Sequence, residues 1–553
     1  MLPVPHPTEA TIPVSHEALL DPRAFPRPAD HVETLETHIS RLYFVGDRVY
    51  KVKKPVDLGF LDFRALDDRR HYCEEELRLN RRLSPDVYLG VLPIVAVGDG
   101  AVRVGGDGEP LDWCVEMRRL PADRMLDRLL AAGEIDNELC RGLATLLARF
   151  HGGAATGEGV DEHGSFAAVS ANTLDNFAHC RAFAGRVFPA RAFDRLEAWT
   201  AARLDELRDL IEARVRAGHV REGHGDLHAG NVCVLRGVDG HPSFRVYDCI
   251  EFTPRFRCAD VACDLAFLLM DLDLRRYRGF SGWLEHAYVE AAGDRELRAL
   301  LPFYKAYRAM VRAKVAALRS AQCEGGLREA CEAEALRYFL LATSYALPPV
   351  LVLCCGLPGS GKSSAAGEVA APFEARVLES DRVRKRQHGL APGERSGSGV
   401  GEGIYVASAS DATYAELLAL ATESLDEHRS VVVDAGLRTR DRRRPFLALG
   451  RARRVPTVLV WLDPPERVVL ERLAARERRG GSVSEAGPEV WHALRAGFEP
   501  PEAGEGALCV ADHGVAAPLA LATRVVDELC AALLPAPLRT SSRTPGRPGG
   551  SRC

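Results

Sequence analysis

Eight residues limit what this chain can fold into more than any others. Gly356-Leu357-Pro358-Gly359-Ser360-Gly361-Lys362-Ser363 matches the pattern G-x-x-x-x-G-K-[ST]. A continuous apolar run, Val350 to Cys355, leads into it, and a helix-compatible stretch follows. Such a run reads as a strand buried on both faces, and strands of that kind belong to parallel sheets. Glycines let backbone N–H groups turn toward phosphate oxygens. The start of the following helix adds the positive end of its dipole. Lys362 is then placed for the β- and γ-phosphates, and Ser363 for Mg²⁺. Gly356, Gly359, Ser360, Gly361, Lys362, Ser363 and Ser364 form the expected nucleotide-binding set.

The same character repeats downstream. Val431-Val432-Val433 and Val458 to Leu462 are further buried-strand candidates with helical stretches between them, an α/β pattern. Asp381 follows the short strand candidate Val377-Leu378, where a carboxylate faces the crevice at the strand ends. It is a candidate base for an acceptor hydroxyl, with helix capping as the competing reading. Asp434 ends its strand where a Mg²⁺-shell carboxylate is expected. Arg472, Arg476 and Arg479 precede Gly480-Gly481 in a helical stretch. They read as a lid that brings cations onto the transferring phosphate.

A second phosphate-handling motif lies at His224-Gly225-Asp226-Leu227-His228-Ala229-Gly230-Asn231. Asp226 is the candidate acceptor of the attacking hydroxyl's proton and Asn231 a candidate Mg²⁺ ligand. Asp248 closes a short strand after it and reads as the second metal carboxylate. His224 and His228 stand at a metal-ligand spacing, so zinc is the rival reading.

These residues resemble the aminoglycoside phosphotransferase-like branch of the protein-kinase fold, over residues 32–345. The resemblance implies that Lys51 is the strand lysine on the α/β-phosphates, with Lys53 as runner-up. It also implies that Glu76 is the helix glutamate paired with that lysine. Lys54 faces the wrong way on a strand. Asp260 and Asp264 match a downstream pair and read as structural. One departure is plain: Glu36-Thr37-His38-Ile39-Ser40 stands where a glycine-rich loop would cover the nucleotide. Ser40 and backbone N–H groups are the expected substitutes. Residues 346–535 resemble small P-loop kinases, the polynucleotide and gluconate kinase groups among them. The order of the two resembles bacterial fusion proteins with an aminoglycoside phosphotransferase-like part and an ATP-binding part.

The expected architecture is therefore an α+β protein-kinase-like domain (32–345) followed by an α/β P-loop NTPase domain with a parallel sheet (346–535). A proline-rich lead-in (1–31) and a tail (536–553) are expected to be disordered. Charges nearly balance, with 72 Lys and Arg against 77 Asp and Glu, so no global attraction to nucleic acid or membrane follows. No apolar run reaches the roughly 18 residues of a membrane span, and no signal peptide is legible. The fifteen cysteines form no CxxC pair and read as reduced thiols of a cytoplasmic protein.

The expected function is an ATP- and Mg²⁺-dependent phosphotransferase with two nucleotide sites, acting on hydroxyl groups of small molecules. One alternative is an ATP-binding regulatory protein with one non-catalytic site. The other is a polynucleotide 5′-hydroxyl kinase, motivated by the basic run from Arg438 to Arg454. That run lacks interleaved aromatics for base stacking, so nucleic acid is not favoured.

Overall fold

The computed structural model describes residues 14–27, 29–59, 61–98, 100–237, 240–398, 402–479, 486–513 and 517–536. They form two compact units, residues 1–172 with 207–308, and residues 173–206 with 309–553. This grouping cuts the chain differently from the boundary expected at 345/346. Residues 173–206 and 309–345 were expected in the first domain, yet they group with the second unit.

The first unit carries a six-stranded antiparallel sheet. Its strands are β1 (Glu33–Glu36), β2 (Ser40–Val45), β3 (Arg48–Lys53), β4 (Tyr88–Gly98), β5 (Ala101–Val104) and β6 (Pro110–Arg118), in the order β1-β2-β3-β6-β4-β5. The β2–β3 hairpin turns at Asp47 and at Gly46, whose φ of 58° is left-handed, as the Gly-Asp pair between two apolar runs predicts. Strand β3 is buried along its whole length, which places Lys51 and Lys53 together on its inner side.

The helix Leu66–Asn80 packs on β6 and β4. Arg69 fixes it there from a fully buried position. Its Nε donates to Asp112 at 2.8 Å and its Nη1 to the carbonyls of Phe63 and Arg64. Two short pairs follow, β7 (Val220–Glu222) with β10 (Cys258–Asp260), and β8 (Val232–Arg236) with β9 (Pro242–Val246). The helix Val261–Leu274 is buried almost throughout.

The lead-in departs from expectation. From Val14 it is ordered, with short 3-10 turns at Glu17–Leu19 and Pro22–Ala24. Val14, Leu19 and Phe25 join the core on one face of the sheet with Tyr43 and Tyr50. Residues 1–13 lie outside the described residues, as does the expected tail apart from Ala536.

In the second unit β11 (Leu351–Gly356), β12 (Arg376–Glu379), β13 (Val431–Asp434), β14 (Thr457–Leu462) and β15 (Leu508–Asp512) form an all-parallel sheet. The order is β12-β13-β11-β14-β15. Every residue of β11 and β13 is buried, the continuous-run pattern read from sequence. No helix among the described residues is long and apolar enough to cross a membrane. The described cysteines are free thiols, most of them buried.

The packing of the lead-in makes a measurable claim. Phe25 stacks obliquely on Tyr50 at 4.8 Å between ring centroids. Phe25→Ala should cost about 3 kcal/mol of stability, the usual range for a buried aromatic truncation. Chemical denaturation of the two proteins checks this.

Candidate active sites

In the first unit, three elements bring their charges to one place. Lys51 Nζ donates to Glu76 Oε1 and to Asp248 Oδ1, both at 2.7 Å. Glu76 is completely buried on its helix, whereas the Asp248 side chain is about half exposed, at 47%. Burial works against the Lys51 ammonium, but Asp248 and Glu76 outweigh it and hold its pKa well above the ordinary lysine value. Burial likewise opposes the Glu76 carboxylate, and Lys51 and Lys53 overcome it, so its pKa lies below the usual range. Lys51 dominates at Asp248 and lowers its pKa too.

Of the two lysines left open by the sequence, Lys51 is the one that meets Asp248. Lys53 lies deeper, with Nζ on Glu76 Oε2 at 2.8 Å and on Glu251. Lys54 points away, to Glu36 and the Thr37 carbonyl. Glu251 was not singled out from sequence. The signal available was its place three residues after Asp248, together with a second lysine two residues after Lys51.

The Asp226 loop is built on Asp264. That carboxylate accepts the backbone N–H of His224 at 2.7 Å and of Gly225 at 2.9 Å, and lies 3.2 Å from His151 Nε2. Burial acts to raise the Asp264 pKa, but His151 and the backbone donors lower it far below the usual range. Gly225 has φ +84°, and a Cβ there would meet the Phe256 carbonyl at 2.9 Å, so only glycine fits. Asn231 closes the loop, its Nδ2 donating to the Asp226 carbonyl at 3.1 Å.

The histidines serve the backbone. His224 Nδ1 accepts from the Asp226 N–H and His228 Nδ1 from the Gly230 N–H. No cluster of three His, Cys, Asp or Glu suited to a metal occurs among the described residues. Oxygen ligands do fit a hard cation here: the Asp248 carboxylate and the Asn231 amide. The chain of two ammonium groups and three carboxylates is also left negative at its exposed Asp248 end.

The backbone N–H of Ser40 is bonded to Thr37 Oγ1 at 3.0 Å. Ser40 Oγ is buried and has no hydrogen-bond partner among the described residues.

In the second unit the phosphate loop joins β11 to the helix Lys362–Ala370. Gly359 (φ +77°) packs so tightly that a Cβ would meet Val469 at 2.8 Å and Leu473 at 2.9 Å. Asp434 is the last residue of β13, and Ser363 follows Lys362 at the start of the helix. This hydroxyl and carboxylate are oxygen donors suited to Mg²⁺. Burial raises the Asp434 pKa against the pull of Lys362 and Ser363, and lowers that of Lys362 against Asp434 and Asp381. Lys362 Nζ donates to the Leu357 carbonyl at 2.8 Å, curled onto its own loop.

Asp381 sits just past β12 and pairs with Arg384 at 3.1 Å. Arg472 Nη1 donates to the Ser360 carbonyl at 3.0 Å, so the helix Glu466–Arg479 brings it onto the loop. Arg476 bonds the Ala486 carbonyl; burial lowers its pKa, opposed by Asp381. Ser360 Oγ is buried without a partner among the described residues, while Ser364 is exposed at the helix start. The Arg479 side chain and Gly480-Gly481 lie outside the described residues.

Four arginines of the basic run meet carboxylates. Arg443 is fully buried, doubly bonded to Glu505 at 2.8 and 2.7 Å. Arg440, Arg442 and Arg453 pair with Glu502, Asp411 and Asp426.

Residues 351–501 match the family model of an AAA domain. Over 449 residues the chain is 33% identical to an uncharacterized protein of Mycobacterium tuberculosis (strain ATCC 25618 / H37Rv), spanning 80% of this chain and 81% of that protein. An uncharacterized protein of Mycobacterium bovis matches to the same extent. The chain belongs to the family of these mycobacterial proteins. Among solved structures, the GDP complex of aminoglycoside 2′-phosphotransferase-IIIa is 14% identical, at a TM-score of 0.37, over 57% of this chain and 93% of that one. A gluconokinase from Sinorhizobium meliloti 1021 is 22% identical, at a TM-score of 0.24, over 34% of this chain and 95% of that one. The AAA-domain match spans β11 to β14 of the second unit.

Asp264 generates a prediction. Asp264→Asn should cost about 2 kcal/mol, since charge-assisted bonds to two N–H groups and His151 are weakened. A carboxyl with a depressed folded pKa stabilises fully above its unfolded value near ~3.9. That contribution is lost as pH falls through the folded value. Thermal unfolding from pH 7 to acid should therefore show the wild-type advantage intact at neutrality and shrinking at low pH.

Proposed function

We propose that the protein is an ATP- and Mg²⁺-dependent phosphotransferase with two nucleotide sites, each transferring the γ-phosphate to a hydroxyl of a small molecule. The observation that carries this reading is Lys51, held at 2.7 Å by both Glu76 and Asp248 from three separate elements. A cation fixed between a buried anchor and a carboxylate at the cleft is suited to phosphate on one side and metal on the other.

In the first site Lys51 binds the α- and β-phosphates, Asp248 and Asn231 hold Mg²⁺, and Asp226 takes the acceptor's proton. In the second, Gly356 to Ser364 cradle the phosphates, with Lys362 as the point charge. Ser363 and Asp434 hold Mg²⁺, Asp381 orients the acceptor, and Arg472 and Arg476 neutralise charge on the transferred group. Mg²⁺ when bound supplies charge neutralisation between phosphate oxygens. The carboxylate partners of the basic run favour a small-molecule acceptor over a polynucleotide.

Two experiments test the reading. Nucleotide titration should give two ATP sites in the intact chain, one of them removed by Lys51→Ala and the other by Lys362→Ala. A single site abolished by either change would overturn it. Second, Asp226→Asn should spare Mg²⁺·ATP binding while turnover falls by about 10²-fold or more, the usual contribution of acid–base catalysis. Asp248→Asn should weaken binding itself. Equal loss of binding in both would refute the division of roles.

A further inference from the structure

Glu76 is held at both of its oxygens. Lys51 takes Oε1, and Lys53 takes Oε2 at 2.8 Å. Holding a phosphate lysine requires one glutamate and no second cation. Lys53 nevertheless lies completely out of solvent, and its other partner is Glu251, whose side chain is 4% exposed. Burying a further ion pair is costly unless every charge is met, and none of the proposed catalytic steps uses it.

The placement of the pair is specific. Lys53 shares the inner side of β3 with Lys51, above the ring of Phe63 at 5.2 Å. Glu251 stands three residues after Asp248, on the same segment. Asp248 has φ +64°, a left-handed conformation that a non-glycine residue keeps only when its surroundings hold it. The Asp248 N–H donates to the Tyr88 hydroxyl at 3.1 Å and the Cys249 N–H to Asn80 Oδ1 at 2.9 Å. On the far side Arg257 Nη1 donates to the Glu251 carbonyl at 3.1 Å. The Lys53–Glu251 pair thus ties three elements together: the strand with Lys51, the helix with Glu76 and the segment with Asp248.

We propose that Lys53 and Glu251 are positioning residues of the first nucleotide site, fixing Glu76 by its second oxygen and the Asp248 segment from behind. This rests on the reading of that unit as a Mg²⁺·ATP site. When phosphate draws Lys51 away from Asp248, Glu76 keeps Lys53, so the helix does not follow. Asp248 is left facing the cleft, with its backbone still anchored through Glu251.

Glu251→Gln alone strands the Lys53 charge and risks misfolding, so the deciding variant is Lys53→Met/Glu251→Gln, which removes both charges. It is made in the full chain carrying Lys362→Ala, which silences the second site. A fluorescent ATP analogue is titrated with and without Mg²⁺, and thermal unfolding is recorded for each protein. The double variant should stay folded but unfold at a lower temperature than its parent, since Glu76 Oε2 loses its ammonium while Lys51 still meets Oε1. It should bind the Mg²⁺-loaded nucleotide about tenfold more weakly, the low end for loss of a supporting shell, and the gain in affinity that Mg²⁺ confers should shrink. A folded double variant with unchanged affinity and unchanged Mg²⁺ gain overturns the proposal. A double variant that cannot fold also overturns it, since the pair would then be a folding element. A Lys362→Ala parent that binds no nucleotide would instead refute the first-site reading itself.

Discussion

The Glu76 carboxylate has no contact with water, and both of its oxygens end on ammonium groups. A charge buried this completely is tolerated only when it is met at every acceptor position, and that requirement organises the first unit. It demands a strand whose inner side carries two cations, a helix at fixed height above it, and a return of the chain close enough to cap both cations from below. Arg69, locked to Asp112, sets the height of the helix. The β2–β3 hairpin sets the alternation of the strand. The Asp226 loop is held by different means, the backbone N–H groups of His224 and Gly225 gathered on Asp264. Side-chain charge positions one half of the site and backbone hydrogen bonding the other.

The second unit is built on another principle. Its central strands β11 and β13 are apolar up to their ends and Arg376 opens β12, so the carboxylates collect where β12 and β13 end. Asp434 belongs to β13 itself, and Asp381 follows β12 by two residues. The loop between β11 and its helix is shaped by glycines, Gly356, Gly359 and Gly361 all having positive φ. Lys362 and Asp434 are both shifted toward their neutral forms by burial, as suits a dry cradle whose strong charge is to come from the nucleotide.

Much of this was legible in the sequence, and the parts that were not share a cause. Local patterns gave the hairpin at Gly46-Asp47, the helix carrying Glu76, the parallel strands and the loop glycines, because each is set by neighbours a few residues away. The choice between Lys51 and Lys53 was not local. Parity puts both on one side of β3, and only Asp248 and Glu251, almost two hundred residues on, distinguish them. The packing of Val14 to Phe25 was missed because two three-residue turns show no periodicity, and their order depends on Tyr43 and Tyr50. The basic run gave a similar difficulty, since the acids that neutralise it arrive from other elements.

One contact in the phosphate loop has a wider consequence. The Gly359 α-carbon is separated from Val469 and Leu473 by less than the room a methyl group needs, and those residues lie on the helix that also carries Arg472 and Arg476. Loop and helix are therefore in gear. A larger side chain at position 359 would push the arginine-bearing helix outward, so the distance of Arg472 from the loop is set by the absence of a single methyl group.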